Sequence, residues 1–198
     1  MAPITTISFT RDGRRYNVGV DLDDRAIMDG KLALQVSAKV TDSEGHSFEE
    51  FVTLELDLEK GMGKIFRKSA DDPWCVFPLP NVGDIINQDG VEAPPGMETG
   101  DPEEGDAIAN FVEERIGERV CELIGLWPVP DPILGCALKA GISSALGQTL
   151  TCNKIVSSEG TAPQRVWRVV RCLRDHVGGI FTCTLWRTGR CILGLGIF

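Results

Sequence analysis

Residues 7–20, ISFTRDGRRYNVGV, decide the first part of the fold because two alternating segments flank an Asp-Gly pair. Asp-Gly suits the two central positions of a type I′ turn, where positive φ angles are required. With this pair as the loop, Phe9 faces Tyr16 and Ile7 faces Val18. A shift of one residue would send these side chains to the opposite face, so the pattern predicts a β-hairpin with a defined register.

A second hairpin is predicted directly after the first. Apolar residues alternate with polar ones from Leu32 to Val40, turn residues follow, and apolar residues return from Phe48 to Leu58. Phe51 breaks the alternation, which predicts a bulge or a sheet edge at that residue. Four antiparallel strands with one apolar face need a covering layer on that side.

The second half of the chain predicts that covering layer. Residues 61–105 are rich in Pro, Gly and acidic residues, which favours a long loop with turns. Asp-Pro pairs at 101–102 and 131–132 are typical of helix starts, with an acceptor before a proline in the first turn. Helices are predicted over about 101–125, 131–146 and 162–176. A closing hairpin is predicted around Thr188 and Gly189.

The predicted fold class is therefore α+β. An N-terminal four-stranded antiparallel sheet packs against three helices, and a C-terminal β-hairpin closes the chain. The corresponding regions are a β-sheet region at 1–60, a Pro/Gly-rich acidic connecting loop at 61–105, and a helical region with the hairpin at 106–198. A sheet with one apolar face and helices with apolar stripes favour one shared core.

Charge is distributed unevenly along the chain. Residues 1–164 carry 14 Lys and Arg against 28 Asp and Glu, a net charge of −14. Residues 165–198 carry six arginines and one acid, Asp175, a net charge of +5. Such asymmetry indicates a distinct partner for the basic part or an internal clamp between the two parts. The acidic balance disfavours nucleic acid, because nucleic-acid binding depends on basic residues that neutralise phosphates.

The predicted helix 162–176 is the sharpest candidate site. Its apolar residues form one narrow stripe at helical spacing, and arginines with a tryptophan cover the remaining surface. A helix of this kind binds a protein partner or an anionic membrane. The alternative is that the stripe docks on the sheet while the arginines meet the acidic body. The candidate partner- or membrane-binding residues are Arg165, Trp167, Arg168, Arg171, Arg174, Arg187 and Arg190.

The seven cysteines are irregularly spaced, without a Cys-X-X-Cys pair. We interpret them mostly as buried thiols in a reducing compartment, with one or two disulfides in a secreted protein as the alternative. No metal site is predicted, although Cys172 and His176 stand four residues apart on a predicted helix, as zinc ligands do. The predicted hairpin register places Cys183 and Cys191 on opposite faces, which argues against a site shared by all four residues and against a disulfide between those two.

No other motif supports a specific chemistry. The acidic segment that begins at Asp21 has Leu32 where a calcium loop needs its twelfth-position glutamate. The segment at Gly61 lacks the residues of a phosphate-binding loop. There is no nucleophile elbow, so neither a catalytic residue nor a cofactor is predicted. The start of the chain shows no signal peptide and no apolar run reaches membrane-spanning length, which together predict a cytoplasmic location.

The sequence therefore predicts a non-enzymatic binding protein that uses an acidic body and a basic amphipathic C-terminal segment. A protein is the predicted partner. Two alternatives stay open: a membrane-active protein that binds anionic lipid surfaces through residues 165–198, and an enzyme whose site no motif marks.

Overall fold

The protein is built from an antiparallel sheet and helices that cover one of its faces. A computed structural model describes residues 2–67, 72–79, 131–156 and 159–194. Within these residues, the sheet contains β1 (Ala2–Arg11), β2 (Arg14–Asp23), β3 (Leu32–Thr41), β4 (Ser47–Asp57), β5 (Met62–Arg67) and β6 (Cys75–Pro78). The helices are α1 (Pro132–Ile155), α2 (Ala162–Asp175) and α3 (Val177–Gly194), and a 3-10 helix (Asp24–Asp29) joins β2 to β3. The predicted α+β class is confirmed, but the sheet has six strands rather than four.

The first hairpin forms with the register that its sequence predicts. Ile7 pairs with Val18 and Phe9 pairs with Tyr16 across β1 and β2. The Asp-Gly pair adopts positive φ angles of 51° and 74°, as a tight turn between these strands requires. The rings of Phe9 and Tyr16 stack with their centroids 5.1 Å apart. Cross-strand aromatic pairs of this kind stabilise a sheet beyond the area that they bury.

The second hairpin is regular, so of the two alternatives predicted at Phe51, a bulge or a sheet edge, the bulge is wrong. β3 and β4 stay in step along their whole length, with Phe51 opposite Ser37. The strand keeps its alternation by turning Glu50 toward the core face, where its exposed fraction is 3%. The sequence pattern looks interrupted because the inward row of β4, which is otherwise apolar, contains this carboxylate. Among the described residues, the pairing of β4 with β5 begins at Val52. Phe51 therefore lies just before this pairing, as the sheet-edge alternative predicts.

Two further strands lie within the segment that the sequence predicts to be a loop. β5 and β6 extend the sheet beyond β4, and the six strands follow one another in chain order without a crossover. Gly63 takes an inward position in β5, and the ring of Phe77 on β6 occupies the space that a side chain there would fill. This arrangement explains the missed strand, because a glycine at an inward position hides the apolar alternation that identifies a strand.

α1 lies at the centre of the helical layer. The carboxylate of Asp131 caps its N-terminus by accepting hydrogen bonds from two backbone N–H groups of the first turn, at 2.9 and 3.1 Å. The helix packs against β2 and β3 on one side and against α2 and α3 on the others. At Gly141 a Cβ would lie 2.9 Å from a methyl group of Val18 and of Val36, so glycine allows the helix to approach the sheet closely. α1 extends to Ile155, beyond the predicted end near Leu146.

One large apolar cluster joins the two layers. It contains inward residues of β2 to β6 together with residues of all three helices. From the sheet the cluster includes Val20, Val36 and Leu54. From the helices it includes Leu138 and Val169. Each of these side chains is completely buried, which makes this cluster the main source of hydrophobic stabilisation.

The predicted C-terminal hairpin is wrong, because residues 177–194 form the helix α3. Its inward residues recur every four positions and are buried: Ile180, Thr184, Thr188 and Ile192. The hydroxyl of Thr188 donates to the carbonyl oxygen of Thr184 at 2.7 Å, so the buried threonine is satisfied within the helix. β-branched residues and glycines give this segment a strand-like composition, whereas packing against α1 at helical spacing determines its structure.

Two other sequence predictions concern residues that lie outside the described part of the chain. The helix predicted over about 101–125 falls there. So does most of the predicted loop, beyond the strands β5 and β6.

Candidate functional site

α2 has one apolar face and one basic face. Its inward stripe is completely buried and comprises Val166, Val169, Val170 and Leu173, each at most 1% exposed. The stripe packs mainly against α1 and the 3-10 helix. Close packing continues at the helix start, where Gly30 contacts Ala162. The apolar face of α2 is therefore buried inside the protein, and the opposite face meets solvent.

The outward side of α2 forms a groove that we call the basic groove. It has a volume of about 570 Å³ and is lined by Gln164, Trp167, Arg168, Val170, Arg171, Arg174 and Asp175. Trp167 is 48% exposed, which is high for so large an apolar side chain. Arg171 and Arg174 are exposed, and no carboxylate of the described residues lies within 4 Å of either guanidinium group. Among the described residues, the groove therefore combines two arginines that have no carboxylate partner with an accessible aromatic ring.

The remaining arginines of the predicted site are dispersed. Arg165 donates from Nε to Oδ1 of Asn153 at 3.2 Å, which ties α2 to the last turns of α1. Arg168 lines the groove and also bonds the carbonyl oxygen of Glu159. Arg187 is 5% exposed on the inward side of α3, so it contributes no accessible surface. Arg190 is exposed on α3, where its guanidinium lies 4.7 Å from the ring centroid of Trp186.

A second cavity lies at the opposite end of α1, beside the turns of both hairpins. Its volume is about 330 Å³, and it is lined by Arg14, Val40, Asp42, His46, Ser47, Phe48 and Asp131. Within it, Arg14 donates to Asp131 at 3.1 Å, and His46 Nδ1 lies 3.2 Å from Asp42. The one guanidinium group of this cavity is thus already paired with a carboxylate, so the cavity is less suited than the basic groove to attract an anionic ligand.

Asp131 links the helix cap of α1 to the first hairpin. Besides capping the helix, its Oδ2 accepts hydrogen bonds from the hydroxyl of Tyr16 at 3.0 Å and from Arg14. Burial raises the pKa of Tyr16, and the neighbouring Asp131 carboxylate raises it further. The same carboxylate raises the pKa of the Arg14 guanidinium through its hydrogen bond. The sequence indicates the helix start at Asp131 but carries no signal for this contact with a strand more than 100 positions away.

Disulfides connect α1 to both other helices. Cys136 on α1 bonds Cys191 on α3, and Cys152 near the end of α1 bonds Cys172 on α2. The interpretation that most cysteines are reduced buried thiols is therefore wrong for these four. Their pairing requires that α1 lie against both partners, and no spacing rule in a sequence predicts such contacts between separate helices.

Cys172 and His176 lie together, as their helical spacing predicts. The Cys172 Sγ and His176 Nδ1 atoms are 3.6 Å apart, and His176 Nδ1 is also 2.9 Å from the carbonyl oxygen of Cys172. The sulfur that lies beside this pair belongs to Cys152 rather than to Cys183 or Cys191. His176 also ends α2, since its backbone N–H donates to the Cys172 carbonyl.

Comparisons with known proteins give no match: no family model, no curated protein and no solved structure resembles this chain. Within the described segments of the chain, no helix is both long enough and apolar enough to cross a membrane.

Proposed function

We propose that the protein is a non-enzymatic binding protein whose basic groove docks an acidic segment of a protein partner. The observation that carries this proposal is the exposure of Trp167 beside Arg171 and Arg174 on a helix whose other face is buried. Tryptophan and arginine are the residues most enriched among those that dominate binding energy at protein interfaces.

The arrangement of charge favours an acidic ligand. Arg168, Arg171 and Arg174 recur every three residues and span about 9 Å along the helix axis. Arg171 and Arg174 each offer a planar pair of donors that matches a carboxylate, whereas Arg168 also bonds the carbonyl oxygen of Glu159. The rest of the chain is strongly acidic, with a net charge of −14 over residues 1–164. An acidic segment is therefore repelled by most of the surface and directed toward the groove.

The burial of the α2 stripe favours a protein over a membrane. A helix that lies in a lipid interface inserts its apolar face among the acyl chains. In this fold that face is occupied by α1 and the 3-10 helix, which leaves Trp167 as the exposed apolar residue of the groove. A groove with arginines along one rim and one aromatic ring suits a short peptide segment better than a lipid surface.

The disulfides support a different location from the cytoplasmic one that the sequence predicts. Two bonds that join three helices persist best in an oxidising environment. We place the binding activity in an oxidising compartment, with a partner that is present there. Measuring the thiol content of protein isolated from its own cells, with thiols trapped at lysis, tests this part of the proposal.

The docking proposal is tested with a fluorescently labelled oligoglutamate peptide. We expect binding that weakens as salt is raised, because exposed charge pairs are screened. The double substitution Arg171→Glu and Arg174→Glu should weaken binding about tenfold or more, and Trp167→Ala should weaken it by a similar factor. Fluorescence anisotropy measures the affinity, and circular dichroism checks that each variant stays folded.

The matched control carries the same charge change away from the groove. Arg15→Glu with Lys39→Glu alters two basic residues of the sheet and should change the affinity only slightly. Equal losses in both double variants would mean that net charge alone attracts the peptide, which contradicts a docking site. Binding to anionic vesicles that depends on Trp167 and is not displaced by oligoglutamate would favour the membrane alternative instead.

A further inference from the structure

Two cysteines and a histidine from two helices meet where α1 and α2 end. The Sγ atoms of Cys152 and Cys172 and a ring nitrogen of His176 all lie within 4.8 Å of one another. Cys152 is fully buried, Cys172 is 9% exposed, and His176 is half-buried. Solvent therefore reaches the cluster from one side, past Cys172 and His176.

We propose that reduction of the Cys152–Cys172 disulfide creates a binding site for a soft divalent cation of the zinc class. The ligands are the thiolates of Cys152 and Cys172 and the imidazole of His176. Thiolate and imidazole are the ligands that zinc prefers in proteins. Three protein ligands leave the fourth position of a tetrahedral site to a water molecule.

The distance between Cys172 and His176 matches tetrahedral coordination. Zn–S bonds of about 2.3 Å and Zn–N bonds of about 2.0 Å, at a tetrahedral angle, place sulfur and nitrogen about 3.5 Å apart. The observed distance from Cys172 Sγ to His176 Nδ1 is 3.6 Å. The same bond lengths place two sulfurs about 3.8 Å apart, so the two thiolates move apart to bind the cation once the disulfide is broken.

The packing of α2 holds the ligands in place without the disulfide. The buried valines of α2 lie in the same core as α1, and Arg165 bonds Asn153, the residue next to Cys152. Cys172 and His176 are one helical turn apart on α2, so their relative position depends on that helix alone. Reduction therefore leaves two thiols beside a histidine rather than releasing them into solvent.

A dithiol supplies the electrons and protons that reduce the Cys152–Cys172 disulfide. The dithiol is oxidised to its own disulfide, and the Cys152–Cys172 bond takes up two electrons and two protons to give two thiols. Cation binding then releases both thiol protons to solvent, and two thiolates neutralise the divalent charge. His176 Nδ1 can donate its proton to the Cys172 carbonyl at 2.9 Å. For Nδ1 to bind the cation, the imidazole proton must reside on Nε2 instead.

The test uses the full chain in oxidised and dithiol-reduced forms, with Co²⁺ and Zn²⁺ as probes under anaerobic conditions. We expect thiolate-to-cobalt charge-transfer absorption in the reduced form only, displaced by Zn²⁺. His176→Ala should weaken Zn²⁺ binding at least tenfold. Zn²⁺ should also slow alkylation of Cys152 and Cys172 in the natural chain, as measured residue by residue by mass spectrometry.

Substitution of the other disulfide provides the control. Cys136→Ala with Cys191→Ala should leave the cobalt absorption of the reduced protein unchanged, whereas Cys152→Ser with Cys172→Ser should abolish it. The proposal is overturned if the reduced chain loses its helical circular dichroism, if it binds no cobalt, or if binding survives the Cys152 and Cys172 substitutions. Zn²⁺ protection of other cysteines in place of these two has the same consequence.

Discussion

The sheet and the helical layer are held together in different ways. Each strand of the sheet pairs with its neighbour in chain order, so its stability is distributed over many backbone hydrogen bonds and alternating apolar residues. The helical layer shares the apolar core and depends in addition on a few specific contacts, among them two disulfides, the close approach at Gly141 and the cap at Asp131. Single substitutions should therefore affect the helical layer more than most positions of the sheet, and the following predictions test that difference.

Loss of the Cys136–Cys191 bond should have the largest effect. The bond closes a loop of 55 residues, and the chain-entropy model gives a loss of about 4 kcal/mol for Cys136→Ala with Cys191→Ala. Urea unfolding followed by circular dichroism measures this loss. Cys183→Ala on the same helix is the control for removal of a sulfur atom. A loss below about 1 kcal/mol would mean that packing against α1 holds α3 without the bond.

Loss of the Cys152–Cys172 bond should cost less because its loop is shorter. A separation of 20 residues gives about 3 kcal/mol in the same model. Cys152→Ala with Cys172→Ala, measured in parallel with the previous pair, tests the ordering. If the shorter loop produced the greater loss, enthalpic strain or side-chain packing rather than chain entropy would dominate both values.

Gly141→Val should destabilise the contact between the two layers by about 2 kcal/mol, within the usual range for overpacking. The new side chain would meet Val18 and Val36, which cannot retreat because both are fully buried in the sheet. Thermal unfolding gives the change in stability. Gly178→Ala is the matched control: it lies in a helix with open space around it, so it should stabilise by about 0.5 to 1 kcal/mol. An unchanged stability for Gly141→Val would contradict the close approach.

Asp131→Ala should cost about 1 to 2 kcal/mol through the lost helix cap. Asp131→Asn keeps a side-chain oxygen at the cap and removes the charge, so it should cost less. Urea titration distinguishes the two variants. Equal losses would mean that the charge, through Arg14, matters more than the cap.

The same substitutions should change the ionisation of Tyr16. It is the sole tyrosine of the chain, so tyrosinate absorption reports on it alone. Its folded pKa is raised above 10 by burial first and by Asp131 second. Stability linked to this group is therefore full below pH of about 10 and falls as the pH rises toward the folded pKa. Asp131→Ala should lower the midpoint, whereas an unchanged midpoint would leave burial as the whole cause.

The sequence predicts the sheet best where alternation is uninterrupted. The register of the first hairpin follows from Phe9 and Tyr16 on either side of a two-residue turn. β5 and β6 are missed because Gly63 breaks the pattern while Phe77, from a different strand, fills its place. Such compensation between strands is visible only once their pairing is known.

The helical layer is predicted less well because its decisive contacts join distant residues. The start of α1 follows from the local Asp131-Pro132 pair and is confirmed, as is the predicted start of α2 near Ala162. The strand-like composition of residues 180–186 leads to the wrong element, since burial against α1 determines α3. For the candidate site, sequence reasoning identifies Trp167 and the arginines of α2, but Arg187 is buried and the disulfide partners are not indicated.

The chain order of the strands has a consequence for synthesis on the ribosome. The six described strands can pair as they emerge, since each has its partner next to it in the chain, and the last of them ends at Pro78. The helix that covers its apolar face begins only at Pro132. At translation rates of about 5 to 20 residues per second, that delay lasts about 3 to 11 s. Until then α1 cannot shield the inward valines and leucines of the paired strands, so we expect the yield of folded protein to depend on protection of this apolar row during synthesis.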